Sequence, residues 1–296
     1  MTESIGLIGL GLMGSALTRR LVDGGFNVIG FDLDPDQRNA FKKLGGEPAA
    51  SVADVAARCR RILIAVMTVA QVEDVVMGEG GIAATPVPGN ERRLLLSVTT
   101  SEPDKIEALA AQCEENSIDF LDTPVSGTSK HVSEGRGHGL IGGTEAVIEA
   151  TGDLLDAVYS TRSVTGIAGS ATKTKLAINH IGGLNRIALA EGLVFAERLG
   201  LDTATFLDVA KQSAVYSKIM DAKGDMMVAR DFSPPLGKLS QHLKDVRIML
   251  AEAQKRGQEL PMLARLLELL EACEACGEGD MDNTFTLEEI RRRHNL

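Results

Sequence analysis

Apolar residues in the first half of the chain fall into short blocks separated by amphipathic stretches. Blocks at Ile5–Ile8, Phe26–Phe31, Arg61–Met67, Arg93–Val98 and Ile118–Leu121 have strand length and little alternation, as strands covered on both faces do. His138–Gly142 and a short piece near Ser163 add candidate edge strands. Helical periodicity falls between them at 34–44, 51–58, 69–77 and 102–115, and Asp34-Pro35 and Ser101 with Pro103 supply start signals. This alternation predicts an α/β fold with a doubly wound parallel sheet, in which ligands bind beyond the C-terminal strand ends. From Gly169 onward the strand pattern disappears. One long helix is predicted over about 169–199, with Gly182-Gly183 as a weak point or a close-packing site. Helices near 203–212, 214–229, 235–256 and 260–276 follow, with Pro234-Pro235 and Pro261 at helix starts. A loop over Asp280–Leu287 and a charged helix over 287–294 complete the pattern. The expected organisation is a sheet domain over 1–166 and an all-helical domain over 167–296, joined by the long helix.

The first block runs into Gly9-Leu-Gly-Leu-Met-Gly14, a Gly-x-Gly-x-x-Gly turn between a strand and a helix. Gly9 permits the tight turn, Gly11 lets a pyrophosphate approach the backbone, and Gly14 lets the helix pack closely on the strand. The helix then aims its N-terminal N–H groups at the phosphates. Asp32 ends the second strand eighteen residues past Gly14. A carboxylate there accepts both ribose hydroxyls of NAD and repels the 2′-phosphate of NADP, and Leu33 follows where an NADP enzyme would usually offer an arginine. The expected cofactor is NAD, with NADP disfavoured.

Composition narrows the class. The 296 residues suit about two domains, and 44% hydrophobic with 24% charged residues is ordinary for a globular chain. A net charge of −10 argues against nucleic acid or an anionic membrane as partner. No apolar run approaches the ~20 residues that span a bilayer, and no leader precedes the first strand, so a cytoplasmic protein is expected. Four scattered cysteines do not make a disulfide framework, and Cys273-x-x-Cys276 lies in a helical stretch where a structural role is the simpler reading.

Four further segments carry candidate chemistry, each with a plainer alternative. Lys175 and Asn179 share a helix face, where a partly desolvated lysine could act as general acid–base and the asparagine could orient a hydroxyl; a solvated face has the same spacing. Asp122-Thr-Pro-Val-Ser-Gly-Thr128 offers the Ser126 hydroxyl and a close backbone approach at Gly127, or is a simple turn. Val98-Thr-Thr-Ser101 presents a hydroxyl to a nicotinamide or caps the next helix. Lys244-Asp245 alone describes a pair of solvated charges.

Taken together these segments resemble the β-hydroxyacid dehydrogenases, of the 3-hydroxyisobutyrate dehydrogenase type, over residue 5 to about 280. Gly9–Gly14, Asp122–Gly127 with Glu134-Gly135, Gly169-Ser-Ala-Thr-Lys-Thr-Lys175 with Asn179, and Leu243-Lys244-Asp245 fall in the family's order and spacing. The resemblance implies a Rossmann domain, an interdomain helix and a helical domain that supports dimers or tetramers. It implies Lys175 as the catalytic acid–base, with Ser126, Gly127, Thr128 and Asn179 on the substrate. The cofactor would meet Gly9, Leu10, Gly11, Leu12, Met13, Gly14 and Asp32, with Met67 on its adenosine side and Thr100 and Lys244 at its nicotinamide end. The implied reaction is hydride transfer between NAD(H) and a small 3-hydroxy acid, or its semialdehyde or keto acid. No metal is required, because a lysine cation can polarise the oxygen. Rival readings are an aldehyde or imine reductase on this scaffold, or a non-catalytic dinucleotide-binding protein. Departures from the family pattern are Thr128 for a second glycine, Ile178 for an asparagine, Thr68-Val69 for Leu-Pro and Ser97 for an aspartate. Lys130 and His131 could add contacts to an anionic group.

Overall fold

A computed structural model describes residues 3–87 and 91–293. The chain divides into two compact units, with the division between Lys175 and Leu176. The first unit runs β1 (Ser4–Ile8), α1 (Leu12–Asp23), β2 (Asn27–Phe31), α2 (Pro35–Lys43), β3 (Glu47–Pro48), α3 (Val52–Arg58), β4 (Arg61–Ile64), α4 (Val69–Met77), β5 (Arg93–Ser97), α5 (Pro103–Glu115) and β6 (Ile118–Asp122). It continues with β7 (Val125–Ser126), α6 (Ser129–Ser133), β8 (His138–Gly142), α7 (Glu145–Ala150), α8 (Gly152–Val158) and β9 (Thr161–Gly166). The sheet order is β3-β2-β1-β4-β5-β6-β8-β7, with β9 paired to β8.

Strands β1 to β6 pair in parallel, with Ile5 opposite both Val28 and Arg61. Their side chains divide between two cores. Ile5, Leu7, Val28 and Leu63 meet Leu17 and Leu21 of α1 and Leu154, Leu155 and Val158 of α8. Ile8, Ile29, Ile62 and Ile64 meet Val55 of α3, Val72 and Val76 of α4, and Ile106 and Leu109 of α5. Helices therefore cover both faces, which is why these strands are apolar throughout. The sheet is not parallel to its end: β8 runs antiparallel to β6 and β7. The helices α6, α7 and α8 and the strands β3 and β7 carry too few residues for a readable period and do not stand out in the sequence.

The second unit takes up the long helix α9 (Ser170–Arg198), then α10 (Thr203–Lys211), α11 (Lys218–Ala229), α12 (Leu239–Lys255), α13 (Pro261–Ala275), a 3₁₀ turn (Asn283–Phe285) and α14 (Thr286–Arg292). One apolar cluster joins Leu243, Val246 and Met249 of α12 to Leu263, Leu266 and Leu270 of α13. Another joins Leu189 and Leu193 of α9 to Leu207 of α10 and Met220 and Met227 of α11. Within α9, Gly182 borders open space, whereas Gly183 lies against His242 and Leu266, so only the second is a close-packing glycine.

Three expectations change here. The helix expected from residue 214 starts at Lys218. The helix expected from residue 235 starts at Leu239. The segment before it gives its N–H groups away: Leu236 and Gly237 donate to Asp282 Oδ2, at 2.8 and 3.2 Å, and Leu239 donates to Met281 O. The expected loop at 280–287 is correspondingly ordered: Asp282 is fully buried, pairs with Lys223 at 2.5 Å and caps the 3₁₀ turn. The last position of the helix expected over 287–294 lies outside the described residues. The four cysteines are free thiols; Cys59, Cys113 and Cys273 are buried, and burial pushes each up to about 12, which leaves them inert. No described helix is long and apolar enough to cross a membrane.

Candidate functional site

The glycine turn has the backbone its sequence requires. Gly9 adopts φ +89°, and a Cβ there would lie 2.5 Å from Ala65 O. A Cβ on Gly14 would lie 2.1 Å from Gly9 O, so α1 can start this close to β1 only without a side chain. A Cβ on Gly11 would meet nothing within 4 Å, and that open side is where a diphosphate would lie. Leu10 N–H donates to Asp32 Oδ2 at 2.7 Å and Asp34 N–H donates to Oδ1 at 2.9 Å. Both carboxylate oxygens are thus oriented by backbone, and each keeps a lone pair for a ribose hydroxyl. Leu12 and Met13 open α1, with Leu12 exposed and Met13 half-buried. The residues present fit a dinucleotide.

Arg38 is a neighbour that spacing does not reveal. Its Nη1 donates to Asp32 O at 2.5 Å and Leu33 O at 3.1 Å, and its guanidinium lies 5.7 Å from the centre of the Phe31 ring. It stiffens the turn that carries Asp32.

Of the other first-unit candidates, Met67 and Thr100 follow the C-terminal ends of the neighbouring strands β4 and β5, and Ser126, Gly127 and Thr128 lie at the end of β7, at the sheet's edge. Met67 follows β4 and is exposed; its N–H donates to Gln71 Oε1 at 3.0 Å, in the capping box with Thr68 that starts α4. Thr100 follows β5 and is half-buried, beside Thr99, whose hydroxyl donates to Val66 O at 2.9 Å. That bond holds the ends of β4 and β5 together. Thr123 N–H donates to Ser97 O at 2.7 Å and ties the segment after β6 to the end of β5. Ser126 ends β7, Gly127 adopts φ +139°, and Thr128 caps α6 by accepting from His131 N–H at 3.2 Å. The Thr128 hydroxyl keeps its own proton to donate. Lys130 is exposed and His131 half-buried.

Asp122 joins this loop to the long helix. It is fully buried at the end of β6; Oδ2 accepts from Gly169 N–H at 3.1 Å and Thr172 N–H at 2.8 Å, and Oδ1 accepts from the Thr172 hydroxyl at 2.8 Å. The carboxylate satisfies free N–H groups in the first turn of α9, three residues before Lys175. Burial pushes its carboxyl up to about 6, against the pull of the donors from Thr172, Gly169 and Ala171. Lys175 itself is 9% exposed.

In the second unit, Asn179 is one turn further along α9 and donates from Nδ2 to Asp245 Oδ2 at 3.1 Å. Lys244 lies 3.1 Å from Asp245 Oδ1. Two turns past Asn179, Arg186 is buried and its Nη2 is 3.1 Å from His242 Nε2. Arginine can only donate, so His242 accepts through that nitrogen. Burial lowers Arg186 to about 10, while Asp282 and Asp245 hold it up. Arg186 and His242 had no signal in the sequence, and Asp122 and Asp245 stood there only as members of motif segments; the hydrogen-bond partners that account for their burial lie 47 to 66 residues away. Among the described residues, no three His, Cys, Asp or Glu side chains cluster as a metal site.

Comparison with known proteins agrees with this geometry. The profile for the NAD binding domain of 6-phosphogluconate dehydrogenase matches residues 4–169. The profile for the NAD-binding of NADP-dependent 3-hydroxyisobutyrate dehydrogenase matches residues 169–290. The chain is 30% identical over 288 residues to an L-threonate dehydrogenase of Cupriavidus necator, covering 97% of this chain and 96% of the other. It is 28% identical over 294 residues to a 2-hydroxy-3-oxopropionate reductase of Escherichia coli, covering 99% of each. Its fold matches the crystal structure of 3-hydroxyisobutyrate dehydrogenase from Salmonella typhimurium with a TM-score of 0.87 at 24% identity, over 97% of this chain and 99% of that one. With a dinucleotide turn at the head of a doubly wound sheet, a helical second half and full-length relatives, the chain is an oxidoreductase that belongs to the β-hydroxyacid dehydrogenase family.

Proposed function

We propose that this chain interconverts a small 3-hydroxy acid and its semialdehyde or keto acid, with NAD in preference to NADP. The observation that carries the reading is Asp122, which ties the loop bearing Ser126 to the helix turn just before Lys175. Both relatives named above act, by name, on small acids bearing a hydroxyl or carbonyl group, which supports an acid of that size.

The backbone N–H groups from Gly9 to Gly14 and the N-terminus of α1 hold the diphosphate, and Asp32 holds the ribose. Met67 lies on the adenosine side, and Thr100 and Lys244 serve the nicotinamide end. Ser126, Gly127 and Thr128 hold the substrate carboxylate through hydroxyl and backbone donors. Asn179 holds the hydroxyl to be oxidised. Lys175, as the amine, takes the hydroxyl proton while the carbinol C–H bond breaks and the C=O bond forms; as the ammonium, it returns that proton in the reduction. Bound dinucleotide supplies the acceptor of the hydrogen and its electron pair.

The test is a spectrophotometric screen of L-threonate, 3-hydroxyisobutyrate, L-serine and 2-hydroxy-3-oxopropionate with both dinucleotides, run on wild type and K175A. K175A is expected to lose roughly 10²–10⁴-fold in kcat with NADH binding nearly intact. A variant at the wild-type rate would remove Lys175 from the mechanism. NADH binding with no turnover of any small acid would leave a dinucleotide-binding protein.

A further inference from the structure

The Lys244-Asp245 pair, which spacing alone describes as surface charge, is not solvated. Asp245 is 7% exposed, in a polar layer where α12 faces α9. Asn179, Gly183 and Arg186 recur on one side of α9 at intervals of four and three residues. His242 and Asp245, three apart on α12, meet that stripe: Asp245 takes the Asn179 amide, His242 takes Arg186, and a Cβ on Gly183 would lie 3.1 Å from His242 Nε2. Gly183 thus lets the two polar pairs approach. The reaction outlined above gives Asp245 no role, yet burying a carboxylate is costly unless its oxygens are engaged.

We propose that Asp245 is a positioning residue, whose two oxygens orient Asn179 and Lys244 for substrate and cofactor. The kinetic part of this proposal rests on the function proposed above; the structural part does not. An asparagine amide has two ends that differ only in donor and acceptor character. With Nδ2 committed to Asp245 Oδ2, the Asn179 carbonyl oxygen turns away from the carboxylate, because two acceptors repel. The amide is left with one orientation, offering Oδ1 and a remaining N–H. The other carboxylate oxygen, Asp245 Oδ1, makes an ion pair with Lys244 Nζ at 3.1 Å, outside hydrogen-bond geometry, so charge rather than a directed bond relates the two. The buried Arg186 cation, two turns along α9 from Asn179, offsets the carboxylate charge.

Crystal structures and a double-mutant cycle test this. In D245A the Asn179 amide is expected to leave its wild-type rotamer; an unchanged Asn179 overturns the proposal whatever the enzyme turns over. Kinetics would use the acid with the highest kcat/KM in the panel above. D245A and N179A are each expected to lose about tenfold or more in kcat/KM, and the double variant to fall no more than about twofold below N179A, since coupled residues do not add. D245N keeps a carbonyl acceptor for Asn179 and is expected to recover part of the loss. It also carries the cycle if D245A does not fold. Losses that multiply in the double variant, with melting temperatures unchanged, refute the positioning role alone. N179A with wild-type kcat/KM refutes the role of Asn179 and this proposal with it. K175A separately decides the acid–base reading, and if no acid is turned over the crystal structures decide the positioning.

Discussion

At Asp122, burial and hydrogen bonding pull in opposite directions. Burial wins and raises the carboxyl to about 6, whereas in the unfolded chain it returns to an ordinary aspartate value near ~3.9. Between those values the folded chain binds a proton that the unfolded chain does not. Its contribution to stability is therefore greatest in acid and is lost as pH rises through about 6. The stability difference between wild type and D122N, whose amide does not titrate, should shrink between about pH 4.5 and about pH 7.5 in urea unfolding. A constant difference would contradict the raised value. Asp122→Ala should cost about 3 kcal/mol, because it strands the first-turn donors of α9. Legibility at this scale depends on how local the cause is. Gly9 can be read because only glycine tolerates its backbone and its contact with Ala65, and Gly14 because only glycine tolerates its contact with Gly9 O. Asp245 cannot be read as buried, because the amide that accounts for it is 66 residues away.

Helices with strong local signals were visible to within about a residue at each end. α4 begins and ends as its apolar spacing predicts, since Thr68 and Gln71 cap it from within its own sequence. The start of α12 was not visible, because the N–H groups of Leu236 and Gly237 are taken by Asp282, some 45 residues on. α7 and α8, of six and seven residues, are too short to establish a period. The glycine pair inside α9 makes the element scale testable. Gly182→Ala fills open space and should stabilise by ~0.5–1 kcal/mol through helix propensity. Gly183→Leu would push into His242 and Leu266 and should cost about 1–3 kcal/mol. Thermal unfolding of the two variants should therefore move in opposite directions; equal shifts would mean that the α9–α12 contact is looser than described.

At the scale of the whole molecule, a net charge of −10 has to be reconciled with a dinucleotide and an acid that are both anionic. Affinity must come from local donors, the glycine-turn amides above all, rather than from the overall field. Ligand binding to the folded chain adds about 2.7 kcal/mol of stability at a hundredfold excess over Kd. NAD should raise the melting temperature more than NADP at equal concentration, and D32N combined with L33R should reverse that order. Equal shifts in both proteins would displace the ribose from Asp32. The doubly wound sheet and the helical half were both legible, because long amphipathic stretches and uniformly apolar strands repeat many times; the antiparallel β8 was not, because pairing direction leaves no mark on composition. One consequence follows from the unbroken run of α9 from Ser170 to Arg198. Its pitch works as a gauge block: with 1.5 Å of rise per residue, about 6 Å of axis separates Lys175 from Asn179 whatever happens in the surrounding loops. If the proposed function holds, substitutions at Thr128 or Ile178 should reshape what is accepted, while the backbone interval between Lys175 and Asn179 remains a property of the helix alone.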